Sequence, residues 1–266
     1  MLISHWGGRL HFDLVGEAGK QVVCLVHSLA TDGGMWSAQV GPLLAAGYRV
    51  LRVDLRGHGG SDSIPGDYTM YSLADDVVAV LDYLKVDAAH YVGLSIGGMI
   101  GQAFGDRHGS RARSLILCDT EPVTPNGAAA LWEPRKAIVR EAGSLAPLAA
   151  GMVERWLTPA FKAAHPVRWQ IVYDTIVATT VDGWLGCAAA ILNFDFNPVL
   201  PGIKVPTLVL CGADDPATPP AANKHIAGLI SGARYQEIAA AKHLPNVERP
   251  QDFNAALLGW LKSNCS

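Results

Sequence analysis

The 266-residue chain contains little charge and no cluster of one sign. Asp, Glu, Lys and Arg make up 17% of the residues and leave a formal net charge of −3. Nucleic-acid-binding proteins carry a basic patch that neutralises phosphates, so this balance excludes a nucleic-acid partner. Half of the residues are hydrophobic, which supports a sizeable core and excludes a disordered chain. These features favour a small-molecule ligand and leave a homo-oligomer open.

Membrane spans and targeting signals are missing as well. The apolar stretches are short and broken by Gly, Pro or charge, whereas crossing a bilayer takes about 20 apolar residues. Residues 1–8 lack the basic region and apolar stretch of a signal peptide. We therefore expect a cytoplasmic protein with no membrane partner.

The cysteines are few, odd in number and scattered. No CxxC pair and no His/Cys spacing of a metal site occurs. Three of the five lie in apolar runs typical of strands or a buried helix, where a thiol acts as a small hydrophobe. We expect neither a metal nor another cofactor.

The chain does contain an alternation of strand-like and helical segments. Such alternation predicts an α/β fold with a mostly parallel central sheet, right-handed crossovers and helices on both faces. The strand-like runs lie at 10–15, 22–26, 49–53, 90–93, 114–118, 205–210 and 234–238. Helical patterns lie at 72–84, 97–107, 219–230 and 250–262.

This alternation stops between residues 122 and 195. The stretch is helical in pattern, lacks β-branched strand-like runs and holds four of the seven tryptophans. We predict a helical cap at 122–195, inserted after the sixth strand of a core formed by 1–121 and 196–266.

A GxSxG motif marks the candidate nucleophile, Ser95, between a predicted strand and a predicted helix. A sharp strand-to-helix turn needs glycines beside the serine and aims the helix N-terminus at its hydroxyl. The backbone N–H of Ile96, and that of Leu29 after an earlier strand, are the candidate donors of an oxyanion hole.

The serine needs a base and the base needs an acid. His243 follows a short strand in the C-terminal part of the chain, whereas His225 lies within a helical stretch. Asp214 and Asp215 follow another strand, and adjacent residues cannot both face one imidazole. Asp119, after the 114–118 strand, is a third candidate.

Together these motifs resemble the α/β-hydrolase family along nearly the whole chain, including its D-x-R-G-x-G-x-S signature at 54–61. The resemblance selects Asp215 as the acid and His243 as the base. Within the family, the chain is most similar to 3-oxoadipate enol-lactonases of aromatic compound catabolism. The stretches that carry this similarity are 28–32 with 35–36, 93–98, 132–135, 202–206, 216–219 and 243–248.

The resemblance implies hydrolysis of a small ester or lactone through an acyl-enzyme. Arg135 in the cap is the candidate partner of a substrate carboxylate. Trp36, Trp132, Trp156 and Trp184 are candidates for lining an apolar pocket, and the first three are expected to contact substrate.

Other functions stay open at this stage. A broader carboxylesterase, a lactonase for another ring, a perhydrolase or a C–C hydrolase would use the same residues, and a ligand-binding homologue would keep the fold without turnover. Haloalkane dehalogenases are disfavoured because their nucleophile is an Asp at the position of Ser95.

Overall fold

A single eight-stranded sheet forms the centre of the computed structural model, which describes residues 1–264. Its strand order is β1-β2-β4-β3-β5-β6-β7-β8. The first two pairings, β1 with β2 and β2 with β4, are antiparallel, and the remaining pairings are parallel. The strands are β1 (Leu2–His5), β2 (Gly8–Val15), β3 (Val22–Val26), β4 (Arg49–Val53), β5 (Ala89–Leu94), β6 (Ala112–Cys118), β7 (Thr207–Gly212) and β8 (Arg234–Ile238).

Burial of the central strands explains their composition. Every residue of β3, β5 and β7 is buried, which requires cover on both faces of the sheet. Continuous apolar runs are therefore favoured over the alternating pattern of an exposed sheet. The edge strand β8 is mostly exposed, as expected where one side of the sheet ends.

Eleven α-helices occur within the described residues. Six belong to the part of the chain that forms the sheet, and α3 packs on β5, β6 and α2, while α1 packs on α11 and β4. These six are α1 (Ser37–Ala45), α2 (Met70–Tyr83), α3 (Ile96–Arg107), α9 (Pro220–Leu229), α10 (Pro245–Glu248) and α11 (Pro250–Ser263). The other five are α4 (Ala128–Ala142), α5 (Ala146–Trp156), α6 (Pro159–Ala164), α7 (Pro166–Ala178) and α8 (Val181–Leu192).

The helices α4 to α8 all lie between β6 and β7, and we call residues 122–195 the cap. The chain enters and leaves this segment at one place. Val123 forms an antiparallel bridge with Asp195, and the Phe196 N–H donates to the Pro122 carbonyl at 2.8 Å. The two ends of the cap are thus tied to each other where the chain leaves and rejoins the core.

The expected mostly parallel sheet with an inserted helical segment is confirmed. The predicted bounds of β3, β4 and β8 agree with the structure, and β5, β6 and β7 differ by one or two residues at one or both ends. The strand β1 and the helix α1 were not predicted. Within residues 1–264 no single helix is long and apolar enough to cross a membrane. The helices α7 and α8 reach the required length and apolar composition only when taken together, and they meet at a bend of 92°.

Candidate active site

Ser95 sits in a sharp turn between β5 and α3. Its φ of 58° lies in the left-handed region, which a non-glycine residue adopts at a cost of about 1–3 kcal/mol. The turn is fixed by backbone bonds on both sides: the Ser95 N–H donates to the Cys118 carbonyl at 2.9 Å, and its own carbonyl accepts from Thr120 Oγ1 at 2.9 Å. The strained conformation is held where it presents the hydroxyl above the sheet.

The two glycines of the motif are required by close backbone approach. A Cβ on Gly93 would lie 2.0 Å from the Gly97 carbonyl oxygen, and one on Gly97 would lie 2.4 Å from the Val26 carbonyl oxygen. Neither backbone oxygen can move without displacing a central strand or the turn. Glycine is therefore the residue that lets α3 start this close to the sheet.

His243 and Asp215 are hydrogen-bonded to each other at the carboxyl ends of neighbouring strands. His243 Nδ1 lies 2.8 Å from Asp215 Oδ2, and both residues are buried, at 2% and 3% exposure. Burial alone would raise the pKa of Asp215, but His243, Thr218 and the Ala217 N–H hold this pKa below its ordinary value. The carboxylate is charged and fixes the tautomer of His243, with the proton on Nδ1.

The structure shows which of the two adjacent acids, Asp214 or Asp215, faces the imidazole of His243. Asp215 points inward to His243, whereas Asp214 is exposed. Asp119, Asp215 and His243 each offer one atom of a type that binds metals, all within 4.8 Å of one another. However, a protonated Nδ1 has no lone pair for a metal, so the hydrogen bond explains the contact between His243 and Asp215.

Of the two residues expected to supply oxyanion donors, Ile96 follows Ser95 directly and Leu29 shares a cavity wall with it. Leu29 lies in the loop after β3 and lines the cavity described below, and Ile96 is the first residue of α3. Neither backbone N–H has a hydrogen-bond partner among residues 1–264. An unpaired donor at the helix N-terminus next to Ser95, with a second on a residue of the cavity wall, suits a developing negative charge.

His27, a second histidine near Ser95, has a different task. Its Nε2 accepts from the Leu55 N–H at 2.9 Å, and its Nδ1 lies 2.7 Å from the Ser28 carbonyl oxygen. With both ring nitrogens occupied, this buried imidazole ties the Leu29 loop to the segment after β4. Burial lowers its pKa, so it stays neutral and structural.

A cavity of about 710 Å³ lies between the core and the cap, a size typical of small-molecule sites. Ser95 and His243 line its core side. No hydrogen bond joins the Ser95 hydroxyl to His243 in the part of the chain described, and such bonds often tighten only when substrate binds. The nucleophile and base candidates thus open into one space.

Three of the four predicted substrate-contact residues line this cavity. Trp132 and Arg135, both on α4, are half-buried, and Trp156 at the end of α5 is buried with its ring centroid 6.0 Å from that of His243. The expectation for Trp36 is wrong. Trp36 is completely buried, packs on Phe253 of α11 at 6.0 Å and is not part of the cavity wall.

Two charged residues of the cavity wall were missed by sequence reasoning. Arg155, at the end of α5, donates to the Pro216 carbonyl at 2.9 Å. Burial, and to a smaller extent the nearby Arg155, lowers the pKa of Arg135. Glu121 follows β6, and burial together with the nearby Asp215 raises its pKa to about 7. No sequence motif marks either residue, because their position depends on how the cap folds over the core.

Comparison with known proteins agrees with this architecture. The family model of the alpha/beta hydrolase fold matches residues 21–250. The chain is 32% identical over 253 residues to 3-oxoadipate enol-lactonase 2 of Acinetobacter baylyi, covering 95% of this chain and 93% of that protein.

Solved structures show the same likeness in three dimensions. The enol-lactonase of Burkholderia xenovorans superposes with a TM-score of 0.94 at 36% identity, covering 98% of this chain and all of that one. A thermophilic esterase of Thermogutta terrifontis, solved with malate bound, gives a TM-score of 0.92 at 30% identity over all of this chain and 97% of its own. The expected resemblance to enol-lactonases is confirmed, and the chain belongs to the alpha/beta hydrolase fold family.

Proposed function

We propose that this enzyme cleaves a small lactone that carries a carboxylate, of the 3-oxoadipate enol-lactone kind, through an acyl-enzyme on Ser95. The observation that carries the proposal is a single cavity with Ser95 and His243 on its core side and Arg135 on its cap side. The names of the relatives above support the reaction type, and the malate bound to one of them supports recognition of an acid.

The geometry assigns each group a step. His243 accepts the Ser95 proton through Nε2, because its Nδ1 proton is held by Asp215. Ser95 Oγ attacks the lactone carbonyl, and the N–H groups of Leu29 and Ile96 bind the oxyanion. Ring opening leaves the former ring oxygen on the same molecule, so His243 returns the proton to it, and water activated by His243 then releases the acid.

Charge in the cavity wall favours an anionic substrate. Arg135 and Arg155 face the same space, and neither forms an ion pair with an acid within residues 1–264. A guanidinium without a carboxylate partner can bind a substrate carboxylate in a bidentate manner. Glu121 opposes such a substrate once it ionises near pH 7, so binding of an acid is strongest below that pH.

The free cysteine thiols agree with a reducing compartment. The four described cysteines, Cys24, Cys118, Cys187 and Cys211, are unpaired and buried, and Cys265 lies outside the described residues. Disulfides are rare in reducing compartments. We place the enzyme in the cytoplasm as part of this proposal.

A labelling experiment combined with a substrate panel tests the proposal. A fluorescent organophosphonate should label the wild type and leave Ser95→Ala unlabelled, because only an activated serine attacks the probe. Acidic lactones should then have a higher kcat/KM than neutral lactones and short-chain esters of similar size. Equal labelling of both proteins would refute the nucleophile, and faster hydrolysis of neutral esters would make the enzyme a general carboxylesterase.

A further inference from the structure

Asp119 is a buried acid directly behind the catalytic pair, and the proposed mechanism does not use it. It follows β6, has no exposed surface and adopts a φ of 45°. Its Oδ1 accepts from the Gly212 N–H at 2.7 Å, but its Oδ2 has no hydrogen-bond partner among residues 1–264. An unpaired buried carboxylate oxygen costs several kcal/mol, so the group must be neutral or have a partner that the heavy atoms do not show.

A second carboxylate faces Asp119. One oxygen of Asp119, one of Asp215 and a ring nitrogen of His243 lie within 4.8 Å of one another. The other titratable groups near Asp119 are the thiols of Cys118 and Cys211 and the phenol of Tyr235. No Lys or Arg in the described chain forms an ion pair with either acid. Two buried carboxyl groups this close cannot both ionise.

The hydrogen bonds decide which acid keeps the charge. Asp215 accepts from His243 Nδ1 at 2.8 Å, from Thr218 Oγ1 at 2.6 Å and from the Ala217 N–H at 2.7 Å. Asp119 accepts from one N–H and otherwise faces only the Cys211 thiol, a weak donor. More donors stabilise the charged form more strongly. Burial and the neighbouring Asp215 raise the pKa of Asp119 well above its ordinary value.

We propose that Asp119 is a positioning residue held as a carboxylic acid, whose Oδ2–H donates to the Asp215 carboxylate. This inference rests on the proposed triad and assigns Asp215 a further donor. The pair then holds one negative charge instead of two. One negative charge orients His243 and stabilises its imidazolium. A second would hold the proton on His243 more strongly and leave less of the neutral imidazole that acts as the base.

Two variants separate the acid form from the charged form. Asp119→Asn keeps an acceptor for the Gly212 N–H, offers an N–H to Asp215, and suits a positive φ. Asp119→Gly also suits that φ but removes both contacts. For a neutral Asp119, the acid limb of the kcat/KM profile should stay in place in Asp119→Asn and move to higher pH by about half a unit to one unit in Asp119→Gly.

A charged Asp119 would give a different result. Removing a negative charge within 4.8 Å of the imidazole would shift the acid limb of Asp119→Asn to lower pH by about two units, and that shift would overturn the proposal. Loss of activity on dialysis against a chelator would also overturn it, because a cation would then neutralise the pair.

An infrared measurement reads the proton without turnover. The difference spectrum of wild type minus Asp119→Asn at pH 7 should contain the C=O band of a carboxylic acid, and a carboxylate band in its place would contradict the proposal. If Asp119→Asn does not fold, Asp119→Gly serves as the reference. A protein that shows the acid band but hydrolyses no lactone or ester would refute the proposed function alone.

Discussion

The core and the cap differ in what surrounds their polar groups. In the core, Ser95, Asp215 and His243 are buried and held by short hydrogen bonds from strand ends. In the cap, Arg135 is half-buried and Arg155 is exposed. Fixed groups in a dry site suit a reaction that tolerates little displacement, and adjustable groups at a rim suit discrimination among substrates. On the proposed function, the core cleaves the bond and the cap selects the substrate.

The largest effect is expected from Asp215→Asn. The variant leaves His243 without the acceptor that fixes its tautomer, so kcat should fall by about 10⁴-fold while the fold persists. The matched control is Asp214→Asn, because Asp214 is the exposed neighbour, and its kcat should stay within about two-fold. Similar losses in both variants, measured by steady-state kinetics, would contradict the role of Asp215.

A smaller effect, confined to acidic substrates, is expected from Arg135→Ala. A charge-assisted hydrogen bond contributes about 1.5–3 kcal/mol, so KM for an acidic lactone should rise by about 10- to 100-fold, and KM for a neutral ester should hardly change. Arg140→Ala is the control on the same helix, since Arg140 is exposed and lies outside the cavity wall. A uniform rise in KM for both substrates would remove the carboxylate role.

The junction between cap and core offers a third test. A Cβ on Gly183 of α8 would lie 2.5 Å from Gly57 Cα and 2.8 Å from the Arg56 carbonyl oxygen. Gly183→Ala should therefore push α8 from the core, lower the free energy of unfolding by about 1–3 kcal/mol and raise KM more than it lowers kcat. Gly259→Ala, where a Cβ meets nothing within 4 Å, should stabilise its helix by about 0.5–1 kcal/mol. Urea unfolding and kinetics check both variants.

The effect with the least bearing on catalysis is acid stability, which we expect to depend on the core. Burial lowers the pKa of His58 to about 3 and that of His90 to about 4, whereas the cap histidine, His165, is exposed. Between these values and the ordinary pKa near 6.5, the unfolded chain binds protons that the folded chain does not. The free energy of unfolding therefore rises with pH across this window and is lost as the pH falls below about 6.5.

Replacing one buried histidine tests this pH dependence of the free energy of unfolding. His58→Asn keeps a donor for the Arg56 carbonyl, which His58 Nδ1 contacts at 2.9 Å, and removes one titrating group. Its loss of unfolding free energy between pH 7 and pH 5 should be smaller than that of wild type by about 2 kcal/mol. His225→Asn, at an exposed position, should leave the slope unchanged. An unaltered slope in His58→Asn would contradict the assignment.

The sequence predicts elements best where one physical demand dominates. The strand β3 was placed correctly because burial on both faces requires a continuous apolar run. The helix α1 was missed because Gly41 and Pro42 interrupt its pattern and it buries only Gln39 and Leu43. The strand β1 is four residues long, too short for a period to show.

Site residues could be inferred only where a motif constrains them. Ser95 was found because the turn demands flanking glycines, and His243 because its chain position fits the strand order. Trp36 was assigned to the pocket from the family resemblance, but its side chain is packed inside the core. Glu121 and Arg155 depend on the fold of the cap, which no local pattern encodes.

The bridge between Val123 and Asp195 makes the cap a replaceable module. Since the segment departs from and rejoins the sheet at adjacent points, its length can change without altering the register of β6 against β7. Loop-closure entropy grows only slowly with length, so a transplanted cap from a relative, or a short connecting turn, should fit the same anchor. A different cap would then change the range of substrates while the core with Ser95, Asp215 and His243 stays unaltered.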